Sequence, residues 1–148
     1  MKFFKLDRKV TSQHIGHWGK LTNSSKALFT AEHAESHHGL TVVVTKDARQ
    51  AAIHAQAVHF FVEGTNLPIY DFPDWETLPY DIFSPHQDII STRLKALAKL
   101  PQIEHGILIV PVTTLMHRLA PSSFISSRTF KYNVGEIINR ETLRQQLN

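Results

Sequence analysis

The 148-residue chain has no cysteine. Disulfides, thiolate metal sites, iron–sulfur clusters and cysteine nucleophiles are thereby excluded, and the composition suits a reducing cytosol. Long apolar runs are missing too. The longest, residues 106–112, is strand-sized and far short of the roughly 20 residues that a membrane-spanning helix needs. The opening MKFFKLDRKV carries Lys5, Asp7, Arg8 and Lys9 and lacks an apolar core, so no export signal is expected and a cytoplasmic location is. Neither an internal repeat nor a low-complexity tract is present.

Positive charge is absent from the middle of the chain. From Gln50 to Thr92 there is no lysine or arginine, while Glu63, Asp71, Asp74, Glu76, Asp81 and Asp88 all fall there. The start is the opposite: Lys2, Lys5, Arg8, Lys9, Lys20 and Lys26 face only Asp7. A basic arm over residues 1–14 offers contacts to DNA phosphates, which the acidic middle would repel. A solvated tail is the simpler reading of so short a basic run.

What is present is an alternation of helical and strand patterns. Residues 24–38 place Ala27, Leu28, Ala31 and Ala34 on one face, with Asn23 or Ser24 as the expected cap and Gly39 as the stop. TVVVT, residues 41–45, predicts a short buried strand. Asp47 can cap a helix over residues 48–62 with Ala51, Ala55, Val58 and Val62 inward, and residues 67–70 predict another strand. Ser84 followed by Pro85 reads as the start of a helix whose buried face is Ile89, Ile90, Leu94, Leu97 and Leu100, ending at Pro101. A fully apolar strand follows at 106–110, then a short helix at 113–119, a strand at 128–134, and a last helix at 140–147 capped by Asn139. Strands alternating with helices imply an α/β domain, a parallel sheet with helices on both faces. The strand–helix pair near the end reads as the beginning of a second domain, and a chain that ends inside a helix reads as part of something longer.

GKLTNSSKAL, residues 19–28, has the outline of a phosphate-binding loop without its chemistry. In G-x-x-x-x-G-K-[ST], glycines let backbone N–H groups approach phosphates, and the final hydroxyl holds magnesium. Anchored on Lys26, the first glycine is replaced by Lys20, the second by Ser25 and the hydroxyl residue by Ala27, with Asn23 inside the loop. A left-handed backbone at Ser25 would cost roughly 1–2 kcal/mol. Lys26 alone remains, so no cofactor is expected there, and an adventitious anion at the helix start is more probable than ATP.

Other polar groupings are weaker. His33 and His37 lie four apart with Glu35 between them, but Ala34 stands where a zinc-protease helix needs its glutamate. A solvated helix face is the better reading, and no metal site is expected. His86 beside Asp88, near Asp81, resembles an acid–base pair, yet Asp88 in a first turn serves the helix dipole. Ser84 is better explained as a cap than as a nucleophile. In the acidic-aromatic loop, residues 72–84, Trp75, Tyr80 and Phe83 are too costly to leave in water together, so at least some of them must pack on the sheet edge or on a neighbour.

Two stretches are family-like. FPDWETLPYDIFSPHQDIISTRL, residues 72–94, closely resembles the N-terminal region of the bacterial transcription-repair coupling factor (Mfd) family, and GILIVPVTTLMHRLAP, residues 106–121, resembles the same family just downstream. The resemblance runs over residues 15–148. It implies a UvrB-like, RecA-type (P-loop NTPase-type) domain over 15–126 with a degenerate nucleotide site, and the beginning of a second, UvrA-binding type domain over 127–148. It also implies a full-length ATP- and magnesium-dependent DNA translocase that displaces stalled RNA polymerase and recruits nucleotide excision repair through UvrA. The motors, polymerase-binding segment and double-stranded DNA contacts would lie beyond residue 148.

No catalytic residue, metal ligand or UvrA contact carries over to this chain. The fragment is therefore expected to be non-catalytic, a structural and interaction module contacting the rest of the translocase. The alternative is a nucleotide-dependent UvrB-type helicase domain with residual ATP and DNA binding. That needs an acidic pair at a strand end, whereas the strand at 107–110 runs into Pro111, Val112 and Thr113.

Overall fold

The computed structural model describes residues 16–77, 82, 84–129, 132, 134–135 and 137–147. The basic arm over 1–14 lies outside the described residues, as do Tyr80, Asp81 and Phe83.

The sheet is built around its most apolar segment. β3 (Gly106–Pro111) is buried at all six positions, as a central parallel strand covered on both faces must be. β1 (Leu40–Thr45) and β2 (Ile69–Asp71) flank it, both parallel, in the order β1–β3–β2. Val43 is in register with Ile109, and Tyr70 with Leu108. The ladder continues past β2, where Phe72 N–H donates to the Ile109 carbonyl at 3.1 Å.

Alternation along β3 divides the core in two. Ile107 and Ile109 pack with Ala27, Ala31 and Ala34 of α1 (Asn23–Ser36) and with Ala55, Val58 and Val62 of α2 (Ala48–Val62). Leu108 and Val110 face the other way, against Phe72 and against Ala96 of α3 (Gln87–Lys99), with Leu97 and Leu100 at the margin. The expected architecture is present: an α/β domain of RecA-like type, a three-stranded parallel sheet flanked by helices on both faces. His105 Nε2 lies 2.9 Å from the Ala34 carbonyl, tying the end of α1 to the start of β3.

Local details differ from expectation in informative ways. α1 is capped by Thr22 rather than Asn23 or Ser24: the Thr22 carbonyl accepts from Lys26 N–H at 2.9 Å, the first full helical bond. The Asp47 cap on α2 is present, with its Oδ1 accepting from Gln50 N–H at 2.7 Å. β1 is not a buried strand. Val42 and Val44 are 50% and 52% exposed, because α3 packs over β2 and β3 and leaves this face of β1 half open. α3 begins after His86, not after Ser84, since the His86 ring nitrogen takes the capping role by accepting from Asp88 N–H at 3.3 Å. Its buried residues are Arg93 and Ala96; Ile89, Ile90, Leu97 and Leu100 of the expected face are half-buried, while Leu94 is 46% exposed. After β3, α4 (Val112–Met116) starts directly at Pro111 and ends earlier than residue 119.

The strand expected at 128–134 is not found among the described residues. Arg128 closes a helix, α5 (Ser122–Arg128), set up by Pro121 as N-cap and seated by the buried Ile125. Asn139 does cap the final helix, α6 (Arg140–Leu147), where its Oδ1 accepts from Glu141 N–H at 2.9 Å.

Candidate functional site

The degenerate phosphate loop lines one side of a cleft of about 530 Å³ at the carboxyl end of β1, the end of the strands where open α/β sheets place their ligands. Asn23, Lys26 and Thr30 come from α1, Lys46 and Asp47 follow β1, and Gln50 and His54 come from α2. Lys20 takes up the left-handed backbone, with φ 61°, at the first glycine position of the loop pattern. Ser25 does not. It lies within α1, where its hydroxyl pairs with that of Thr22 at 3.0 Å, so the strain expected there is absent and the chain has become helix instead of loop. Ala27 is fully buried in the α1–α2 core, so the position that holds the magnesium hydroxyl in a working loop points to packing rather than to the cleft.

Three of the remaining polar groups of the cleft, Thr30, His54 and Asp47, are engaged in contacts of their own. The Thr30 hydroxyl donates to the Lys26 carbonyl at 2.9 Å and lies 3.2 Å from His54 Nε2. Burial lowers the His54 pKa, and the nearby Lys26 charge adds to the effect. The Asp47 carboxylate is committed to the α2 cap. Two lysines, a neutral imidazole and a capped helix start give the cleft a mildly positive character without a carboxylate free to hold a metal.

A second constellation organises the acidic-aromatic loop, and it rests on a residue that sequence reasoning passed over. Arg93, 2% exposed, projects from α3 between the Phe72 and Trp75 rings, 4.4 and 4.2 Å from their centroids. Its Nη1 donates to the Pro73 carbonyl, while Nε has no partner. Burial lowers the Arg93 pKa and Asp74 opposes that shift. Asp74 in turn accepts from the Thr113 hydroxyl and from Trp75 N–H at 2.8 Å, with His117 Nε2 3.8 Å away. The loop is thus clamped from below by α3 and from the side by α4. The one sequence signal for Arg93 was its place as the first cation after the stretch from Gln50 to Thr92. Trp75 finds its partner in Arg93, whereas Tyr80 and Phe83 lie outside the described residues.

The other groupings stay apart. His33 and His37 stack in parallel, 5.5 Å between centroids, and Phe29 and Trp18 extend the row. Among the described residues, no three His, Asp or Glu side chains gather as a metal site. His86 and Asp88 approach to 3.3 Å but are 74% and 90% exposed, a local capping contact in water, and Ser84 is exposed and caps nothing. No helix among the described residues is long and apolar enough to cross a membrane.

No family model matches the chain. Curated proteins do. The Transcription-repair-coupling factor of Escherichia coli (strain K12) is 44% identical over 130 residues, 87% of this chain and 11% of that protein. The protein of the same name from Haemophilus influenzae is 40% identical over 129 residues, again 87% and 11%. That of Rickettsia typhi is 29% identical over 113 residues, 76% and 10%. The chain therefore spans about a tenth of the length of these relatives. With identity of this level sustained over most of its length, on a parallel α/β sheet of the expected kind, the chain belongs to the family of transcription-repair-coupling factors.

Proposed function

We propose that this chain is a non-catalytic module of a transcription-repair-coupling factor, a RecA-type domain kept for its shape and surfaces after loss of its nucleotide site. The observation that carries this reading is the burial of Ala27 together with the absorption of Ser25 into α1. Phosphate binding needs N–H groups freed by a glycine-rich turn, and magnesium needs an oxygen beside them. Here those N–H groups enter a helix and that oxygen is missing. The working ATPase, and contacts with UvrA, RNA polymerase and double-stranded DNA, belong in this reading to the rest of the polypeptide, acting in the cytoplasm. This module would hold the neighbouring parts in place.

Isothermal titration of the 148-residue chain with magnesium–ATP tests the proposal. No saturable heat is expected up to about 1 mM, a limit corresponding to roughly −4 kcal/mol. Magnesium-dependent binding that Lys26→Ala abolishes would overturn it and restore the alternative of a UvrB-type nucleotide-dependent domain.

A further inference from the structure

A groove of about 500 Å³ opens at the carboxyl ends of β2 and β3, on the far side of α2 from the degenerate loop. Ala51, Ala52 and Ala55 form one wall and Pro73 the other, over a floor of Ile109 and Pro111, while the Phe72 ring itself packs on the opposite face of the sheet. Its apolar walls meet a rim that carries carboxylates on the strand and loop side and Gln56 and His59 on the α2 side. Asp71 and Glu76 are exposed there, with Asp74 beside them. No lysine or arginine occurs between Gln50 and Thr92 to balance them, and Arg93 is turned inward beneath the loop. The strand side of the groove is held by the sheet ladder, which continues past β2 through the Phe72 N–H bond to the Ile109 carbonyl at 3.1 Å.

We propose that this groove docks a basic–apolar peptide segment of a partner polypeptide. One aliphatic or aromatic side chain seats against the alanines, whose small size lets it approach the α2 backbone, and flanking lysine or arginine residues pair with Asp71 and Glu76. Charge complementarity selects the partner: an acidic segment would be repelled, and a neutral apolar one would leave the two rim carboxylates without counter-charges. The inference is independent of the phosphate-loop reading, because no residue lines both the groove and that cleft, which lie against different faces of α2.

The test is fluorescence anisotropy with the whole 148-residue chain and a fluorescein-labelled Lys-Leu-Phe-Lys-Leu-Lys peptide. Saturable binding is expected, weakened about tenfold or more by Ala52→Trp, which fills the groove from an exposed helix position and leaves the acids intact. Asp71→Asn with Glu76→Gln should weaken it about fivefold, as expected for two solvent-accessible ion pairs. Thermal unfolding and circular dichroism confirm that each variant is folded, and the charge variant decides the matter should Ala52→Trp disturb the helix. Absence of binding, equal binding of a hexalysine peptide, or indifference to both variants overturns the proposal. So does a dimer in sedimentation velocity that Ala52→Trp dissolves, which would assign the groove to a second copy of the chain.

Discussion

Replacing Arg93 by methionine keeps most of the side-chain volume while removing the charge and every donor. In the folded protein Arg93 is stacked between two rings and bonded to the Pro73 carbonyl. The two cation–π contacts, desolvated at a 2% exposed side chain, contribute on the order of 1–2 kcal/mol each. The hydrogen bond from a charged donor contributes roughly 1.5–3 kcal/mol, and its loss strands a carbonyl. Against this stands the unpartnered Nε, whose burial already costs about 1–3 kcal/mol that the substitution recovers. Methionine also retains some contact with the rings, through a polarisable sulfur worth roughly 0.3–1.5 kcal/mol. The net expectation is a destabilisation of about 1–3 kcal/mol. Urea unfolding followed by tryptophan fluorescence measures it, in a Trp18→Phe background so that Trp75 is the reporter. The native-state emission should shift to longer wavelength as Trp75 loosens, and Arg93→Lys should fall between the two because it keeps charge but not the planar fork. If Arg93→Met is as stable as the parent with unchanged emission, the clamp is not what holds the loop, and the assignment of Trp75 to Arg93 is wrong.

Three further outcomes follow from the same coordinates. His33 and His54 have pKa values lowered from 6.5 in the fold, first by burial, with His37 and Lys26 adding to it. The unfolded chain therefore binds more protons, and stability, full above pH 6.5, should fall as pH drops below that value. Urea midpoints at neutral and mildly acidic pH check this. A slope retained by the double variant His33→Gln, His54→Gln would refute the assignment. Asp47→Ala removes the α2 cap and should lower stability by about 1 kcal/mol; an unchanged melting temperature would mean that water replaces the carboxylate at no loss. Gly106 has φ +144°, and a Cβ there would stand 2.8 Å from the Pro68 carbonyl oxygen and 2.9 Å from the Tyr70 ring. Gly106→Ala should separate the starts of β2 and β3 and cost about 2 kcal/mol or more, with loss of soluble yield as the first sign and a parent-like melting curve as the contrary result.

The comparison of pattern with structure divides along a physical line. Where a residue's fate depends on its immediate neighbours in sequence, it was legible. Asp47 before an alanine-rich helix caps that helix, Asn139 caps the last, and GILIVP becomes the central strand. The departures from the phosphate-loop pattern at Lys20, Ser25 and Ala27 were also readable, since that chemistry is specified residue by residue. Periodicity on α3 gave the helix and most of its inward face, with Leu97 and Leu100 against the core, but not the details of that face. Leu94 was expected inside and is 46% exposed, while Arg93, on which the pattern was silent, is buried because two aromatic rings from a loop some twenty residues earlier receive its guanidinium. Caps moved by one or two residues at Thr22 and His86, where several hydrogen-bonding side chains compete locally and the packing of the helix face chooses between them.

What sequence by itself determined is therefore the fold class, the order of the main helices and strands, the family and the departures from the phosphate-loop pattern at Lys20, Ser25 and Ala27. These rest on local periodicity, on residue types and on a long shared segment. The tertiary structure decided the rest: that β1 lies at one side of the three-stranded sheet with Val42 and Val44 half-exposed, that Ser25 is strain-free because it became helix, and that Arg93 anchors the acidic-aromatic loop beside an apolar groove. Each of these depends on which surfaces meet across long separations in the chain. Burial energies and ring contacts set that choice, and neither is a property of any short stretch of residues.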